Sequence, residues 1–216
     1  MKEILYFMLF SSFGSFMGVV VNRFPDQSLL SPGSHCDSCG TRLAPRDLIP
    51  VFSQLINRSH CRFCGCQISY AYLILESLCG LIGLAFCFQL LSFSQVFLLL
   101  FGILLSLYDL REQSYPFVIW VIFTLLLMVV FPLNLLSILL FLFGIFAALK
   151  DIKIGSGDFL YLATLALALD FQAILWIVQI ASLLGILAFL LGVQKEKRLP
   201  FVPFLFIAYS CLLLVM

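Results

Sequence analysis

Two pairs of cysteines give this sequence its clearest chemical signal. Cys36 and Cys39 form one Cys-x-x-Cys pair, and Cys61 and Cys64 form a second pair further along the chain. Each pair can direct two sulfur atoms to one side of a tight turn, and two such turns can complete a tetrahedral four-sulfur site for Zn²⁺. A closed site of this kind keeps no open coordination position, so the sequence predicts a structural zinc rather than a catalytic one.

Two disulfides are the competing interpretation of the same cysteines. The charge pattern described below places this segment in the cytoplasm, a reducing compartment in which disulfides rarely persist, so metal binding is favoured. Cys66 is interpreted as a bystander. His35 and His60 each adjoin a cysteine and could replace one as a ligand.

Two aspartates form the second candidate for chemistry. Asp109 follows the apolar run 95–108, and Asp158 ends the motif Gly155-Ser156-Gly157-Asp158 just before the apolar run 159–169. Two carboxyl groups brought close together cannot both ionise easily, so such a pair would share a proton. One can then act as general base on a water molecule while its protonated partner polarises a carbonyl. This is peptide hydrolysis without a covalent intermediate.

The acidic residues also have plain structural interpretations. Asp158 could be the N-cap of a helix, and Asp109 could pair with Arg111. Glu76 lies inside an apolar run and is interpreted as a hydrogen-bonded helix anchor, with lining of the site as the alternative. Asp170 is expected to cap a helix or to lie in a turn.

The composition requires that these residues be positioned by helices embedded in a membrane. Of the 216 residues, 63% are hydrophobic and 11% are charged, and the mean hydropathy is +1.15. Too little polar surface remains to cover a soluble globule, and a disordered chain is excluded as well. The net charge of +1 gives no electrostatic reason to expect nucleic-acid binding. Because the apolar runs are continuous rather than alternating, we predict an all-α polytopic membrane protein.

Eight apolar runs are predicted to form transmembrane helices, namely 4–21, 70–91, 95–108, 117–131, 135–149, 159–169, 172–193 and 200–216. Two of them, 95–108 and 159–169, are too short for about 30 Å of hydrocarbon at about 1.5 Å per residue, so we interpret them as partial spans. Three domains follow: a first helix over 1–21, a cysteine-rich loop over 22–69 with no helical period, and a seven-helix membrane domain over 70–216 that carries the aspartate dyad.

The basic residues predict on which side of the membrane the loops lie. Every Lys and Arg except Lys2 falls within 22–69, 109–116, 150–158 or 194–199, and the alternate connections carry none. These four segments are therefore expected in the cytoplasm, with the N-terminus outside. A cleavable signal peptide is the alternative for the first run, but a net basic start and a clear cleavage site are both lacking.

The ordered motifs of the chain resemble those of the type IV prepilin peptidases, the GxGD-type aspartyl proteases of bacterial membranes. They are Gly14-Ser15-Phe16-x-x-Val19-Val20-x-x-Arg23-x-Pro25, Ser34-His35-Cys36-x-x-Cys39, Asp47-x-Ile49-Pro50, Cys61-x-x-Cys64, Tyr72-x-x-x-Glu76, Tyr108-Asp109 with Pro116, Gly155-Ser156-Gly157-Asp158 and Pro200-Phe201-x-Pro203-Phe204. The chain departs from many relatives at Phe117 and Leu160, where those relatives carry an Asp and a Lys, and in a shorter turn near the last run.

The resemblance implies two activities. One is cleavage of a short leader from a type IV prepilin or competence pseudopilin, just after a glycine at the cytoplasmic face, with Asp109 and Asp158 as catalytic residues. The other is N-methylation of the newly exposed N-terminus, with S-adenosylmethionine as the donor. The resemblance also implies that the two cysteine pairs bind zinc and that the protein lies in the bacterial cytoplasmic (inner) membrane.

Two other classes of function stay open on the residues alone. A small proton-coupled transporter could use Asp109 and Asp158 as relay groups. It predicts an inverted internal repeat and carboxylates near the midplane, and the sequence has neither feature. A non-catalytic zinc-knuckle scaffold of a pilus assembly machine is the other possibility. The sequence assigns neither an oligomeric state nor the residues that bind the methyl donor.

Overall fold

The computed structural model of the protein describes residues 1–150, 155–192 and 199–215. In these ranges the chain forms the helices α1 (Lys2–Arg23), α2 (Phe52–Ile56), α3 (Tyr70–Cys87), α4 (Phe93–Glu112), α5 (Phe117–Met128), α6 (Leu135–Lys150), α7 (Ser156–Ala168), α8 (Phe171–Leu190) and α9 (Val202–Val215). Extended pairing in the same ranges is limited to two isolated bridges, His35 with Arg42 and His60 with Gln67. The predicted all-α class is therefore confirmed.

Eight of these helices coincide with the eight predicted apolar runs. Helices α1, α3, α4 and α8 are long and apolar enough to cross a membrane, and α5, α6, α7 and α9 are shorter apolar helices. The prediction of a multi-pass membrane protein is confirmed. Four of the basic residues used to orient the chain, Lys153, Lys195, Lys197 and Arg198, lie outside the described residues.

The prediction of a partial span over 95–108 is wrong, because α4 has 20 residues. Its start is fixed by a reciprocal pair of hydrogen bonds. The N–H of Ser92 donates to Gln95 Oε1 at 2.8 Å, and the N–H of Gln95 donates to Ser92 Oγ at 3.4 Å. Such a capping box continues a helix into polar residues that hydropathy alone leaves out. At its other end α4 runs on through Asp109 to Glu112.

The chain divides into two compact units, Met1–Val96 and Phe97–Met216, called here the N-terminal and C-terminal units. In the N-terminal unit α1 packs against α3. A Cβ atom placed on Gly14 would lie 2.9 Å from Cys79 Sγ on the facing helix, so only a glycine allows this approach. Small residues at such contacts are typical of helices that pack within membranes.

Helix α7 is the buried centre of the C-terminal unit. Its residues 160–167 are all buried, and it packs against α5, α6, α8 and α9. Trp120 Nε1 donates a hydrogen bond to the Leu160 carbonyl at 2.8 Å, and the hydroxyl oxygens of Thr124 and Thr164 are 2.9 Å apart. A helix enclosed by protein needs no long lipid-facing surface, which is consistent with its length of 13 residues.

The cysteine-rich loop between α1 and α3 contains two short helical pieces. A 3-10 turn spans Pro45–Leu48, and α2 spans Phe52–Ile56. These two pieces lie in a segment whose sequence shows no helical period. Five residues are too few to display an apolar repeat of 3.6, so α2 leaves no periodic pattern in the sequence.

Candidate functional site

The two cysteine pairs fold as two copies of the same turn. Both copies have the sequence His-Cys-x-x-Cys-Gly, a repeat that sequence analysis overlooked. The N–H of Gly40 donates to the Cys36 carbonyl, and the N–H of Gly65 donates to the Cys61 carbonyl, each at 2.8 Å. Both glycines have φ = 70°, in the left-handed region that favours glycine. The glycine after each pair therefore allows the chain to turn tightly around the sulfur atoms.

The spacing of the sulfur atoms fits a zinc ion. The Sγ atoms of Cys36, Cys39, Cys61 and Cys64 all lie within 4.8 Å of one another, and all four are free thiols. Four sulfur ligands about 2.3 Å from a tetrahedral zinc are about 3.8 Å apart, and the Cys36 and Cys64 sulfurs are 3.8 Å apart. Hydrogen bonding to Thr41 lowers the pKa of Cys39 to about 6, whereas the pKa of Cys64 is raised by the neighbouring thiols and by burial.

Cys66 lies closer to this cluster than the sequence indicates. Its Sγ is 3.3 Å from Cys36 Sγ, a shorter distance than that from Cys36 to Cys64. Cys66 is therefore a structural competitor for the ligand position next to Cys36. The two histidines face backbone instead: Nδ1 of His35 lies 2.9 Å from the Gly33 carbonyl, and Nδ1 of His60 lies 2.6 Å from the Arg58 carbonyl.

Glu76 ties the cysteine-rich loop to helix α3. The carboxylate is 5% exposed, and its Oε2 accepts a hydrogen bond from the N–H of Val51 at 2.6 Å. Val51 has φ = 62° and ψ = −56°, a conformation that costs a β-branched residue about 1–3 kcal/mol. Glu76 is thus an anchor, as its sequence context suggests, and it is hydrogen-bonded both to a strained loop turn and to Ser15 of α1.

Asp109 is buried on α4 in the C-terminal unit. It lies in the last turn of the helix, which ends at Glu112. The side chain is 7% exposed, and Oδ2 accepts a hydrogen bond from the N–H of Val202 at 3.0 Å. Val202 is the first residue of α9, so Asp109 satisfies one of the unpaired N–H groups at that helix start.

Asp158 is the third residue of α7, and its side chain folds back over the preceding turn. Gly155 is the N-cap of this helix, so the interpretation of Asp158 as an N-cap is wrong. A Cβ atom on Gly155 would overlap Asp158 Oδ2, which explains the first glycine of the motif. Asp109 and Asp158 lie near enough to interact electrostatically.

Tyr115 completes this site, and sequence analysis did not single it out. Its hydroxyl donates to the Gly157 carbonyl at 2.6 Å, and a Cβ on Gly157 would lie 2.9 Å from Tyr115 Cε1. Burial, with the charges of Asp158 and Asp109, raises the pKa of Tyr115 well above its ordinary value, so the phenol stays a neutral donor. The one available signal was the second glycine of the motif, whose missing side chain leaves room for an aromatic ring.

Two buried hydroxyl groups lie one helical turn further along the same helices, away from the loops. Ser106 precedes Asp109 on α4, and Tyr161 follows Asp158 on α7, each by three residues. Among the described residues neither hydroxyl has a hydrogen-bond partner. Buried hydroxyls without a protein partner commonly bind ordered water. The hydroxyl of Tyr161 lies next to Gly102, seven residues before Asp109 on α4.

Asp170 is the N-cap residue of α8. Its Oδ1 accepts a hydrogen bond from the N–H of Ala173 at 2.9 Å, and it caps the start of α8. The prediction of a capping residue is confirmed.

Known proteins match the chain over most of its length. The family model described as the Bacterial Peptidase A24 N-terminal domain matches residues 8–90, the range that contains both cysteine pairs and Glu76. A prepilin leader peptidase/N-methyltransferase from Bacillus subtilis is 30% identical over 210 residues, covering 88% of this chain and 85% of that relative.

Two further relatives carry the same name. The one from Dichelobacter nodosus is 32% identical over 212 residues, covering 84% of this chain and 70% of that relative. The one from Myxococcus xanthus is 43% identical over 83 residues, which are 38% of this chain and only 25% of that relative. No solved structure matches the chain. From the extent of these matches, the chain belongs to the prepilin leader peptidase/N-methyltransferase family.

Proposed function

We propose that the protein is a membrane aspartyl endopeptidase that removes the leader of type IV prepilins or competence pseudopilins after a glycine. The observation that carries the proposal is the placement of Asp109 and Asp158, within interaction distance, on two helices of one compact unit. The substrate class is supported by the relatives, which are named for prepilin leader cleavage.

In the proposed mechanism the two carboxyl groups share one proton, since two like charges at short range cannot both ionise without cost. Asp109, fixed by the N–H of Val202, takes a proton from the attacking water. Asp158 carries the shared proton and donates it toward the scissile carbonyl. The water oxygen bonds to the carbonyl carbon and the C–N bond breaks. The leaving amine takes up the proton that Asp109 removed from the water, and Asp158 recovers its proton as the carbonyl of the new carboxyl group forms.

Tyr115 has a positioning role in this mechanism. Its hydroxyl donates a hydrogen bond to the carbonyl of Gly157, the residue before Asp158. Its ring occupies the space that a side chain at position 157 would need.

The substrate would reach the dyad at the cytoplasmic face of the membrane. Arg111 follows Asp109 by two residues, and the cysteine-rich loop carries five further arginines. Basic residues of short connections are typical of the cytoplasmic side. A prepilin offers a basic leader followed by one apolar helix, so its cleavage point would lie at the same boundary as the carboxyl groups.

The same proposal assigns a structural zinc to the cysteine-rich loop, held by Cys36, Cys39, Cys61 and Cys64. It also includes N-methylation of the new N-terminus, which the names of the relatives support. S-adenosylmethionine would supply the methyl group to the free amine, which loses one proton as it is methylated.

Replacing either catalytic carboxyl group tests the proposal. Asp109→Asn and Asp158→Asn keep the side-chain size but remove the proton acceptor, and we expect cleavage to fall by at least about 10²–10⁴-fold, the usual worth of general acid–base catalysis. The measurement is the mass of both fragments after purified protein is incubated with a prepilin. Transfer of one methyl group to the mature fragment would be read in the same spectrum.

Asp170→Asn is the matched control for both variants. Asparagine can still accept the N–H of Ala173 and cap α8, so cleavage should equal that of the wild-type protein. Near wild-type cleavage by either dyad variant, or no cleavage by the wild-type protein, would contradict the proposed mechanism.

A further inference from the structure

The short helix α2 of the cysteine-rich loop exposes its apolar side chains and buries its polar ones. Phe52, Leu55 and Ile56 are 48%, 58% and 78% exposed, whereas Ser53 and Gln54 are each 8% exposed. The three exposed residues are spaced i, i+3 and i+4, so they share one face of the helix. In water the opposite orientation is favoured, because apolar surface gains free energy when it leaves water. The observed orientation is typical of a helix whose outer face meets an apolar medium.

Two further exposed apolar residues come just before this helix in the chain. Leu48 is the last residue of the 3-10 turn, Ile49 follows it, and both are exposed. The apolar patch is defined here as Leu48, Ile49, Phe52, Leu55 and Ile56. Single exposed apolar residues are normal on a protein surface, but a cluster of them marks a surface that contacts a partner or a membrane.

The hydrogen bond between Val51 and Glu76 sets the position of the patch along α3. Helix α3 has 18 residues, and its length of about 27 Å is close to the hydrocarbon thickness of about 30 Å, so Tyr70 lies near one boundary of the membrane. Glu76 is six residues further along, and helix side chains lean back toward the N-terminus.

Val51 is therefore held within about 9 Å of that boundary, measured along α3. The helix α2 begins at the next residue, Phe52. Interfacial segments bury their apolar faces about 5–10 Å into the region between head groups and acyl chains. The patch thus lies at a depth where an exposed side chain contacts lipid.

Two arginines flank the apolar patch. Arg46 lies two residues before its first member and Arg58 two residues after its last, and both are exposed. Neither takes part in the ion pairs found among the described residues. Asp47, the one carboxylate between them in the sequence, is already paired with Arg62. Basic side chains beside an apolar surface are attracted to the phosphate groups of anionic lipids.

We propose that the apolar patch inserts into the lipid leaflet beside α3, with Arg46 and Arg58 at the phosphate groups of anionic phospholipids. The inference depends on the membrane class of the chain and is independent of the proposed peptidase. A basic leader peptide is disfavoured as the occupant, because the two arginines would repel it. The cysteine-rich loop is then held against the bilayer at a point between its two ends, rather than surrounded by water.

Covalent capture of lipid by the wild-type protein tests the inference. The full-length, zinc-loaded protein is placed in phosphatidylcholine nanodiscs that contain a phosphatidylglycerol with a photoactivatable diazirine on its acyl chain, close to the glycerol. Trypsin cuts after Arg46 and Arg58, so it releases the whole patch as the peptide 47–58. After irradiation we expect lipid on this peptide. A phosphatidylcholine probe with the same diazirine, at the same fraction, should label it at least about threefold less.

Variants of the patch give a second measurement. Leu55→Asp combined with Ile56→Asp places two carboxylates on the exposed face of α2, and labelling of peptide 47–58 should fall at least about fivefold, because a charge in lipid is costly. Leu30→Asp is the matched control. Leu30 is 90% exposed in the same loop but lies outside the patch, so labelling of peptide 47–58 should equal that of wild type.

Zinc content measured on each variant reports whether the cysteine-rich loop keeps its fold. If the double variant loses its zinc, Ile56→Asn takes its place. It adds no charge and should lower the labelling of peptide 47–58 at least about twofold.

An unlabelled peptide 47–58, in a protein whose α3 peptides carry lipid, would overturn the inference. Equal labelling of the patch variant and of Leu30→Asp would overturn it as well. A label that is lost when prepilin is added would assign the patch to the apolar helix of the substrate instead. Equal labelling by the two lipids would contradict the role of the two arginines. None of these results bears on the catalytic dyad, which its own variants test separately.

Discussion

Tyr115 makes the most specific single contact around the dyad, a hydrogen bond of 2.6 Å to the Gly157 carbonyl. Tyr115→Phe removes only the hydroxyl and keeps the ring against Gly157. We expect kcat for leader cleavage to fall about three- to tenfold with little change in KM, because one hydrogen bond that positions Asp158 is lost. Steady-state cleavage of a prepilin measures both constants.

Tyr70→Phe is the control for this change, since Tyr70 is exposed at the start of α3 in the N-terminal unit. A rise in KM alone would assign Tyr115 to substrate binding. If Tyr115→Phe cleaved prepilin as fast as Tyr70→Phe, Tyr115 would have no positioning role.

The glycine before the dyad motif has an equally specific role. Gly155→Ala places a Cβ where Asp158 Oδ2 lies, so the carboxyl group must turn away. We expect at least a tenfold loss of cleavage, about 1.4 kcal/mol in the barrier, with the protein still folded and inserted. In Gly185→Ala the new Cβ would be 3.4 Å from its nearest neighbour, an ordinary contact, so this control should keep full activity. An active Gly155→Ala variant would contradict the placement of Asp158.

Sequence reasoning found the residues whose chemical type is rare in an apolar chain. Asp109, Asp158 and the cysteines stand out because a carboxyl group or a Cys-x-x-Cys pair has few other reasons to occur there. Tyr115 was missed because an aromatic residue in such a chain has an ordinary apolar interpretation. Its role depends on a hydrogen bond to the carbonyl of Gly157, a residue 42 positions further along the chain.

The two cysteine knuckles, defined here as Cys36–Gly40 and Cys61–Gly65, bring four sulfur atoms within 4.8 Å of one another. Cys61→Ser should remove most of the bound zinc, because a serine oxygen is a poor replacement for a thiolate ligand. Cys66→Ser should keep about one zinc per chain if Cys64 is the fourth ligand. Zinc content per protein, measured after purification under reducing conditions, distinguishes the two.

Loss of zinc from Cys66→Ser, with full retention by Cys64→Ser, would instead make Cys66 the fourth ligand. The Cys66 sulfur lies 3.3 Å from that of Cys36 and the Cys64 sulfur lies 3.8 Å from it, so both cysteines are candidates for the fourth ligand.

Most helices could be located from the sequence, because a continuous apolar run in lipid can satisfy its backbone hydrogen bonds only as a helix. Where the prediction was wrong, a polar interaction decides the boundary. Helix α4 is extended at its start by the Ser92–Gln95 capping box and at its end through Asp109 to Glu112. Helix α2 is too short for any periodic signal and depends on the turn at Val51.

The division of the whole molecule into two units predicts that the zinc site can form without the dyad. A fragment of residues 1–91, inserted into membranes alone, should bind about one zinc per chain, because α1, α3 and both knuckles belong to one unit. The complementary fragment 92–216 should bind none, since its only cysteine is Cys211. Metal analysis of the two purified fragments gives the answer. A metal-free 1–91 fragment, beside a zinc-loaded whole protein, would contradict this division.

The membrane class and the number of apolar helices follow from composition and hydropathy, whereas the two units do not. The close approach of α1 and α3 depends on contacts such as Gly14 against Cys79, Gly80 against Phe7 and Gly83 against Phe10. Such contacts join residues far apart in the chain, and a single sequence does not say which glycine meets which partner.

The bond between Glu76 and Val51 has a mechanical consequence for the whole N-terminal unit. The acceptor, Glu76, lies on the membrane helix α3, and the donor, the N–H of Val51, lies in a turn with strained backbone angles. If bilayer thickness changes the tilt of α3, part of that motion reaches the start of α2 through the Glu76 carboxylate. The conformation of the cysteine-rich loop is therefore expected to depend on the thickness of the surrounding bilayer.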